Sequence, residues 1–525
     1  MIYYALTTYH VLCCVLHKMT VHPDEKAVLL LSNIHKNSVA YLNRYRESGI
    51  FDRVEILDEL SVLEHQKYLE RKKVPTGLIL SACCHRIEKL LRELGIALKQ
   101  EERYLCPDHF PFGWLVIRSK LPYHCFEEGS GVLSDREFAL NNMKRNRTQY
   151  KLCFSLGCFG DNEFASEILA DAAKQKPGYE NPKMTDFSVD RILEAMEPEE
   201  RNRVLRFFGG GEILHLQKNS SLLLTQHMAN LGLMSLPEQH RLYTLFADYL
   251  FAPGSQLVIK PHPDDIAGTY RQVFGETVTI LPFAMPSELM KYNIEGRFQK
   301  AAAAYSTSVR SMSHISDETL CFDSRILQDW KYLPEYDCAV RFLQAAGIDS
   351  AVTDGDELLL HQLSRMSGTP VSFSHGEIES GASSQAVVIS DLTPPESETD
   401  PIERAEQIAA FLTRTQARVV VFCQEQKACS FFTGKNQEVF RYLRPITLYM
   451  GNETRQIMIY TKEPSIMETA ETFHCEKELP YTGVTIRMDG ISASEAEKIR
   501  LLEGVLAATE KRLNSYIAER KKANS

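Results

Sequence analysis

The chain has 525 residues, of which 44% are hydrophobic and 24% are charged, a composition typical of an ordinary soluble protein with two or three domains. The net charge of −10 excludes a nucleic-acid footprint spread over the whole chain, although it leaves room for a local basic cleft. No run approaches ~18 consecutive apolar residues, so we expect no transmembrane helix.

The 13 cysteines are scattered and include no Cys-x-x-Cys pair. This pattern does not support a zinc site, and it favours reduced, buried thiols in a cytoplasmic protein. Met1 leads directly into a predicted strand, so we expect no secretory leader. We therefore expect the protein to work in the cytoplasm.

The first part of the chain alternates predicted strands with predicted helices, which indicates a parallel α/β domain over residues 1–208. The predicted strands are 1–6, 26–32 and 53–57, and the predicted helices are 9–19, 37–48 and 86–98. Thr7 and Thr8 fall in the first strand-to-helix turn. There they can cap the helix, which is the commoner role, or meet a ligand.

An acidic loop follows a later predicted strand of this domain, Tyr123–Phe126. Glu127 and Glu128 come directly after the strand, and Gly129 begins a flexible Gly-Ser-Gly stretch. Most acidic turns are simply solvated. Carboxylates at the carboxyl end of a strand, on a loop able to move, are also where a general base lies.

The glycines after Phe208 mark a domain boundary, and a second α/β pattern covers residues 209–335. Its predicted strands are 221–226, 256–260, 278–281 and 301–305. A helix is predicted over 239–251, and a short helix opens at Pro286. The second domain thus repeats the alternation of the first.

The strand 256–260 ends in Lys260, and His262 follows it between two prolines. Pro261 and Pro263 fix φ on either side of the histidine, so His262 leaves the strand end on a stiff loop. Open α/β sheets bind ligands at such strand ends. Taken alone, the stretch is equally a proline turn with a solvated histidine.

Three hydroxyl residues, Ser306-Thr307-Ser308, follow the last predicted strand of the second domain. At the start of a helix they indicate either a phosphate cradle or an ordinary N-cap, and the two roles are compatible.

The region 336–525 changes in composition and carries four short apolar segments, 386–389, 417–422, 446–449 and 456–460. They predict a further α/β unit that ends in an antiparallel strand pair. Such an ending resembles that of a Rossmann-like methyltransferase sheet. The region has no Gly-x-Gly-x-x-Gly turn, so a structural or partner-binding role is favoured over cofactor binding.

A final amphipathic helix is predicted from Ser492, with a basic end at residues 520–522. Packing on its own domain is the plainest role of this helix. Docking on a membrane surface and dimerisation are the alternatives.

Three motifs occur in a fixed order in the first two domains: Glu127-Glu128-Gly129, His262-Pro263 and Ser306-Thr307-Ser308. In this respect residues 1–330 resemble the bacterial sialyltransferases, especially glycosyltransferase family 52 (lipooligosaccharide sialyltransferases) and the capsular polysialyltransferases. The resemblance implies a GT-B architecture, in which two Rossmann-like domains face a cleft. It also implies inverting transfer of sialic acid from CMP-sialic acid to a glycan hydroxyl, at lipooligosaccharide or capsule.

The resemblance also implies roles for individual residues. Glu128, with Glu127 beside it, supplies the general base, and His262 assists departure of CMP. Relatives often carry aspartate in the acidic motif, which leaves open which glutamate acts. It also implies contacts to the phosphate from Ser306, Thr307 and Ser308 and to the ribose from Glu288. Beside these, we expect Lys260 and Pro263 at the nucleotide and Thr7, Thr8 and Gly129 at the donor sugar.

No cofactor is expected beyond the donor substrate CMP-sialic acid, and no Asp-x-Asp metal motif stands in a matching position. The expected partners are the nucleotide sugar and a glycan acceptor, and not nucleic acid. A cell-surface acceptor suggests peripheral contact with the inner face of the plasma membrane.

Two alternatives stay open at the level of sequence. One is another GT-B transferase with a CMP- or CDP-linked donor, such as a Kdo or polyol-phosphate transferase, because Lys-Pro-His-Pro loops occur there too. The other is a non-catalytic protein that binds a glycan or nucleotide.

Overall fold

The computed structural model describes residues 1–34, 41–127, 140, 143–144, 146–175, 181–263, 265–276, 278–282, 285–304, 307–322, 325–376, 385–390, 410–423 and 441–490. Glu128, Gly129, Ser306 and the predicted C-terminal helix lie outside the described residues. The backbone of Thr307 and Ser308 is described, but their side chains are not.

The first sheet has seven parallel strands within the described residues, in the order β3-β2-β1-β4-β5-β6-β7. Short apolar runs buried on both faces explain why these segments form a parallel sheet. The strands are β1 Ile2–Ala5, β2 Val28–Ser32, β3 Arg53–Leu57, β4 Arg103–Cys106, β5 Tyr123–Phe126, β6 Ala165–Ala170 and β7 Met184–Asp186.

Helices cover both faces of this sheet. The predicted helix 86–98 differs most from the structure, because the helix already begins at Thr76 after Pro75 and ends at Glu93, ahead of Gly95 with φ +65°. The helices are α1 Thr8–Thr20, α2 Leu42–Glu47, α3 Glu59–Arg71, α4 Thr76–Glu93, α5 Pro111–Arg118, α6 Arg147–Leu156, α7 Val189–Ala195 and α8 Pro198–Phe207.

The second sheet has five parallel strands in the described part, in the order β11-β10-β9-β13-β14, and a separate pair joins β8 to β12. The strands are β8 Leu214–His215, β9 Ser220–Leu224, β10 Gln256–Lys260, β11 Thr279–Ile280, β12 Ile294–Glu295, β13 Phe298–Ala303 and β14 Ser316–Cys321. The accompanying helices are α9 Leu236–Leu250, α10 Tyr270–Phe274, α11 Met290–Asn293 and α12 Ile326–Asp329.

The two sheets share one topology. In each, the first strand lies between the second strand and a later one, which is the Rossmann order and creates a switch point in the sheet. One apolar cluster includes residues of both domains, such as Phe126 and Leu289. An ion pair of 2.8 Å joins Lys291 Nζ on α11 to Glu194 Oε1 on α7. The predicted α/β fold class, with two Rossmann-like domains in the GT-B arrangement, is confirmed.

A third sheet follows, with eight strands in the described residues and the order β16-β15-β17-β18-β20-β19-β22-β21. The prediction of a single antiparallel strand pair is too small. Five strands pair antiparallel, each with the next, in the order β18, β20, β19, β22 and β21. The strands are β15 Ser350–Thr353, β16 Ser372–His375, β17 Ala386–Ile389, β18 Val419–Phe422, β19 Leu443–Met450, β20 Glu453–Tyr460, β21 His474–Leu479 and β22 Val484–Gly490.

The third sheet packs with α13 Leu333–Ala345, α14 Glu357–Ser367 and α15 Pro464–Thr472. The predicted boundary between residues 335 and 336 lies inside α13. A single apolar core runs from the second domain into the third sheet and contains, for example, Phe246 and Ile457. The second domain and the third sheet are therefore packed as one body.

Across the described ranges, no helix is both long enough and apolar enough to cross a membrane. The cysteines of the described part are all free thiols, and most of them are buried.

Candidate functional site

His262 lies at the carboxyl edge of the second sheet, directly after β10. Lys260 is the last residue of that strand, and Pro261 and Pro263 flank the histidine as the sequence predicts. The neighbouring strand is β9, and the switch point lies between β9 and β13. A crevice at such a point is where open α/β sheets bind ligands.

Asp265 holds the His262 loop in place. Its carboxylate is 8% exposed and accepts hydrogen bonds from Thr225 Oγ1 at 2.6 Å, Gln239 Nε2 at 2.9 Å and Tyr270 Oη at 2.5 Å. The Asp265 amide donates to the carbonyl of His262 at 2.9 Å. A buried carboxylate with this many donors is a rigid anchor, because losing any donor costs desolvation energy. The stiffness of the loop thus comes from Asp265 as well as from the prolines.

His227 is a site residue that the sequence analysis missed. It follows the end of β9 by three residues, and its ring stacks on His262 with centroids 4.1 Å apart and an interplanar angle of 29°. The two histidines are 35 positions apart in the chain, so only the adjacency of β9 and β10 brings them together. The sequence held one signal that could have identified His227: it is a polar residue directly after a predicted strand.

Lys260 is 7% exposed, and its Nζ donates to the carbonyl of Pro261 at 3.1 Å. Burial lowers the pKa of Lys260 to about 8, and the negative charge of Glu288 opposes that shift. Glu288 belongs to the short 3-10 helix Ser287–Leu289. Burial raises the pKa of Glu288, and a nearby lysine of the first domain, Lys174, opposes the rise.

Glu127 lies at the carboxyl edge of the first sheet, after β5, and is 3% exposed. Its Oε1 accepts a hydrogen bond from the hydroxyl of Tyr9, and its Oε2 accepts one from the amide of Asp171 at 3.1 Å. Burial raises the pKa of Glu127, although both hydrogen bonds oppose the shift. Both oxygens of Glu127 are therefore occupied inside the protein.

Tyr9 is a second residue that sequence reasoning missed, since it lies 118 positions from Glu127. Burial raises the pKa of Tyr9, and the charges of Cys13, Glu127 and Glu288 add to the rise. The hydroxyl of Tyr9 thus bonds an acid of the first domain and also feels the charge of an acid of the second.

Lys174 lies among acids of the first domain. Its Nζ lies 3.4 Å from Asp190 Oδ2 and 3.7 Å from Asp171 Oδ2. Partial burial disfavours the charged ammonium, but Asp190, Glu127 and Asp171 outweigh it and raise the pKa of Lys174. Lys174 thus belongs to a charged cluster of the first domain, and its charge also acts on Glu288 of the second domain.

The remaining predicted residues have mixed outcomes. Thr7 caps α1 in a capping box with His10, and each of its two hydrogen bonds is 3.2 Å long. Thr8 is the first residue of that helix and is buried. Contact of Thr7 and Thr8 with a donor sugar stays a prediction. The 3-10 helix Thr307–His314 begins at the carboxyl edge of the second sheet, where the phosphate cradle is predicted.

No protein-family model matches this sequence, and no curated protein matches it. Among solved structures, the chain is similar to an alpha/beta-galactoside alpha-2,3-sialyltransferase of the luminous marine bacterium Photobacterium phosphoreum. The identity is 10% and the TM-score 0.32, over 60% of this chain and 88% of that one.

The chain is also similar to two structures of UDP-GlcNAc 2-epimerase from Methanocaldococcus jannaschii. The first shows 12% identity and a TM-score of 0.31, over 62% of this chain and 85% of that one. The second, in complex with UDP-GlcNAc and UDP, shows 13% identity and a TM-score of 0.30, over 58% of this chain and 92% of that one. At such scores these likenesses carry no argument, and the fold and site rest on the strands and side chains described above.

Proposed function

We propose that this protein is an inverting glycosyltransferase that moves sialic acid from CMP-sialic acid to a hydroxyl of a cell-surface glycan. One observation carries the proposal. Glu127 after β5 and His262 after β10 each follow the carboxyl end of a strand, one in each Rossmann-like domain. Charges also act between the domains: Glu288 raises the pKa of Tyr9, and Lys174 opposes the rise in the pKa of Glu288.

Glu128 acts as the general base in this proposal. The acceptor hydroxyl loses its proton as it attacks, so a carboxylate must reach it. Glu127 is poorly suited, because its oxygens already accept from Tyr9 and from the amide of Asp171. Glu127 instead anchors the start of the acidic loop, and this leaves its neighbour to meet the acceptor.

His262 and the residues around it serve the leaving group. The phosphate of CMP gains negative charge as the bond to the sugar breaks, so a histidine proton and hydroxyl groups at a helix start stabilise it. Ser306, Thr307 and Ser308 supply the hydroxyl groups. Lys260, which ends β10 just before the His262 loop, adds positive charge. Glu288 holds the ribose hydroxyls.

The sugar passes through an oxocarbenium-like state, as in glycoside hydrolysis. CMP leaves with one phosphate, so the reaction has no pyrophosphate for a metal to bridge. The role assignments therefore need only the donor, the acceptor and the side chains of this chain.

Substitution of the base and the leaving-group histidine tests the proposal. Glu128→Ala and His262→Ala should each lose about 10²–10⁴-fold in turnover, which is the usual worth of general acid or base action. Release of CMP from CMP-sialic acid in the presence of a galactose-terminated acceptor measures it. Glu93→Ala and His85→Ala, both exposed on α4, are the matched controls. Near-normal transfer by both site variants would refute the assignment.

A donor panel separates the alternatives. CMP-sialic acid, CMP-Kdo and CDP-glycerol are offered in turn, and the released nucleotide is measured. Turnover of the first alone supports the proposal, and turnover of either other donor assigns a different transferase. Binding of CMP without turnover of any donor would identify a non-catalytic binding protein.

A further inference from the structure

The loop after β9 carries His227 to the same sheet edge as His262. Strand order places β9 at the switch point, one strand closer to β13 than β10 is. The His227 ring covers the face of His262 at a centroid distance of 4.1 Å. None of the roles assigned above uses His227, although it is the aromatic neighbour of the histidine that serves the leaving group.

Hydrogen bonds fix the backbone on both sides of His227. The amide of Gln226 donates to Tyr243 Oη at 2.5 Å, and that hydroxyl donates to the Gln226 carbonyl at 3.1 Å. After His227, its own carbonyl accepts from the Leu231 amide at 3.1 Å. These hydrogen bonds fix the backbone from which the His227 ring extends, and this favours the stacked arrangement with His262.

The Nδ1 side of the His227 ring lacks hydrogen-bonding neighbours in the part of the chain that the structure describes. Its Nδ1 is buried and has no hydrogen-bond partner among the described residues. A protonated ring would need an acceptor there, and an orphaned buried N–H is costly. A charge on His227 would also face any charge on His262 across the stack.

We propose that His227 is a positioning residue, an uncharged aromatic platform that fixes the ring of His262 and favours its protonated form beside the leaving phosphate. This inference rests on the proposed function. A cation over a neutral aromatic face is stabilised by the π electrons, and the stack also removes rotational freedom from His262. The proton of His262 is then available at the moment when CMP departs.

Other charged groups lie on the His262 loop or next to it in the chain. Asp265 on its own loop is occupied by Thr225, Gln239 and Tyr270, while Lys260 precedes the loop and lies near Glu288. Changes of the His227 side chain leave these groups in place. If a change of His227 shifts the pKa of His262, the shift therefore measures the effect of the ring stacking.

The first test is titration of His262 by NMR in the full-length protein, with His262→Ala used to assign its signal. His227→Phe keeps a flat ring, and His227→Leu keeps bulk without one. We expect the Phe variant to leave the pKa of His262 unchanged and the Leu variant to lower it by about half a unit. Equal pKa values in the wild type and both variants would overturn the proposal, and this readout does not depend on any transferase activity.

The second test is the pH dependence of transfer from CMP-sialic acid. A protonated His262 makes turnover fall as pH rises through its pKa, so a lower pKa moves this descending limb to lower pH. A fall of half a unit reduces the protonated fraction about threefold above the pKa, so we expect His227→Leu to lose about threefold in kcat at pH 8 and His227→Phe to match the wild type. Equal losses in both variants would show a role in packing alone. Full activity of His262→Ala would refute the proposed function. The NMR titration would still show whether His227 affects the pKa of His262.

Discussion

Glu127 and Tyr9 show how single residues at the first sheet edge are constrained. The carboxyl of Glu127 is almost fully buried, and burial raises its pKa because the charged form loses hydration. The Tyr9 hydroxyl offsets part of this loss, together with the amide of Asp171 and the charge of Lys174. A carboxyl with a raised pKa in the folded protein destabilises the fold as pH rises through that pKa.

Tyr9→Phe should therefore destabilise the protein more at pH 8 than at pH 5. Removal of the hydroxyl leaves Glu127 Oε1 buried with one donor fewer, at a cost of about 1–3 kcal/mol when the carboxyl is ionised. Protonation at low pH relieves part of that cost. The urea midpoint at both pH values measures the effect, and Tyr68→Phe, which changes an exposed ring, is the control. A destabilisation that is the same at both pH values would contradict the role given to Glu127.

At the scale of elements, the strand ends determine the site. Thr7, the strand 123–126 and the strand 256–260 could be predicted, because caps and short apolar runs are local patterns. His227, Tyr9 and Lys174 could not, since their partners belong to elements that meet only in the folded sheet. The hairpin of β21 and β22 was also missed, because β21 alternates Glu, Lys and other polar residues at a sheet edge and lacks an apolar run.

Asp265→Asn should loosen the His262 loop without unfolding the protein. The amide replaces one acceptor oxygen by a donor, which faces the hydroxyl of Thr225 or the amide of Gln239 and costs about 1–3 kcal/mol. We expect the affinity for CMP to fall roughly tenfold, as measured by calorimetry. Asp317→Asn, at an exposed position, should leave it unchanged. Unaltered CMP binding in Asp265→Asn would mean that the loop is not the nucleotide site.

At the scale of the whole molecule, a buried ionic cluster joins the second domain to the third sheet. Asp337 on α13 is fully buried and lies 2.9 Å from Arg341 Nε and 3.5 Å from Lys477 Nζ on β21. The Nζ of Lys477 lies 3.9 Å from the ring centroid of Tyr249 on α9. The cluster therefore ties three elements together across the predicted domain boundary.

Asp337→Ala should lower the free energy of unfolding by about 3–5 kcal/mol, because it leaves buried positive charges without their partner. Thermal unfolding followed by calorimetry measures the loss. Asp349→Ala, at an exposed position, should stay within about 0.5 kcal/mol of the wild type. A small effect at Asp337 would show that water or neighbouring groups compensate the two cations.

The continuous core between the second domain and the third sheet has a practical consequence for dissecting this protein. A truncated chain that ends at residue 335 would cut α13 after its first turn and expose the apolar face that the third sheet covers. Exposed faces of this kind drive aggregation. Fragments intended for ligand-binding studies should therefore keep residues 209–490 together. Any hinge motion of the second domain must also carry the third sheet along with the His262 loop.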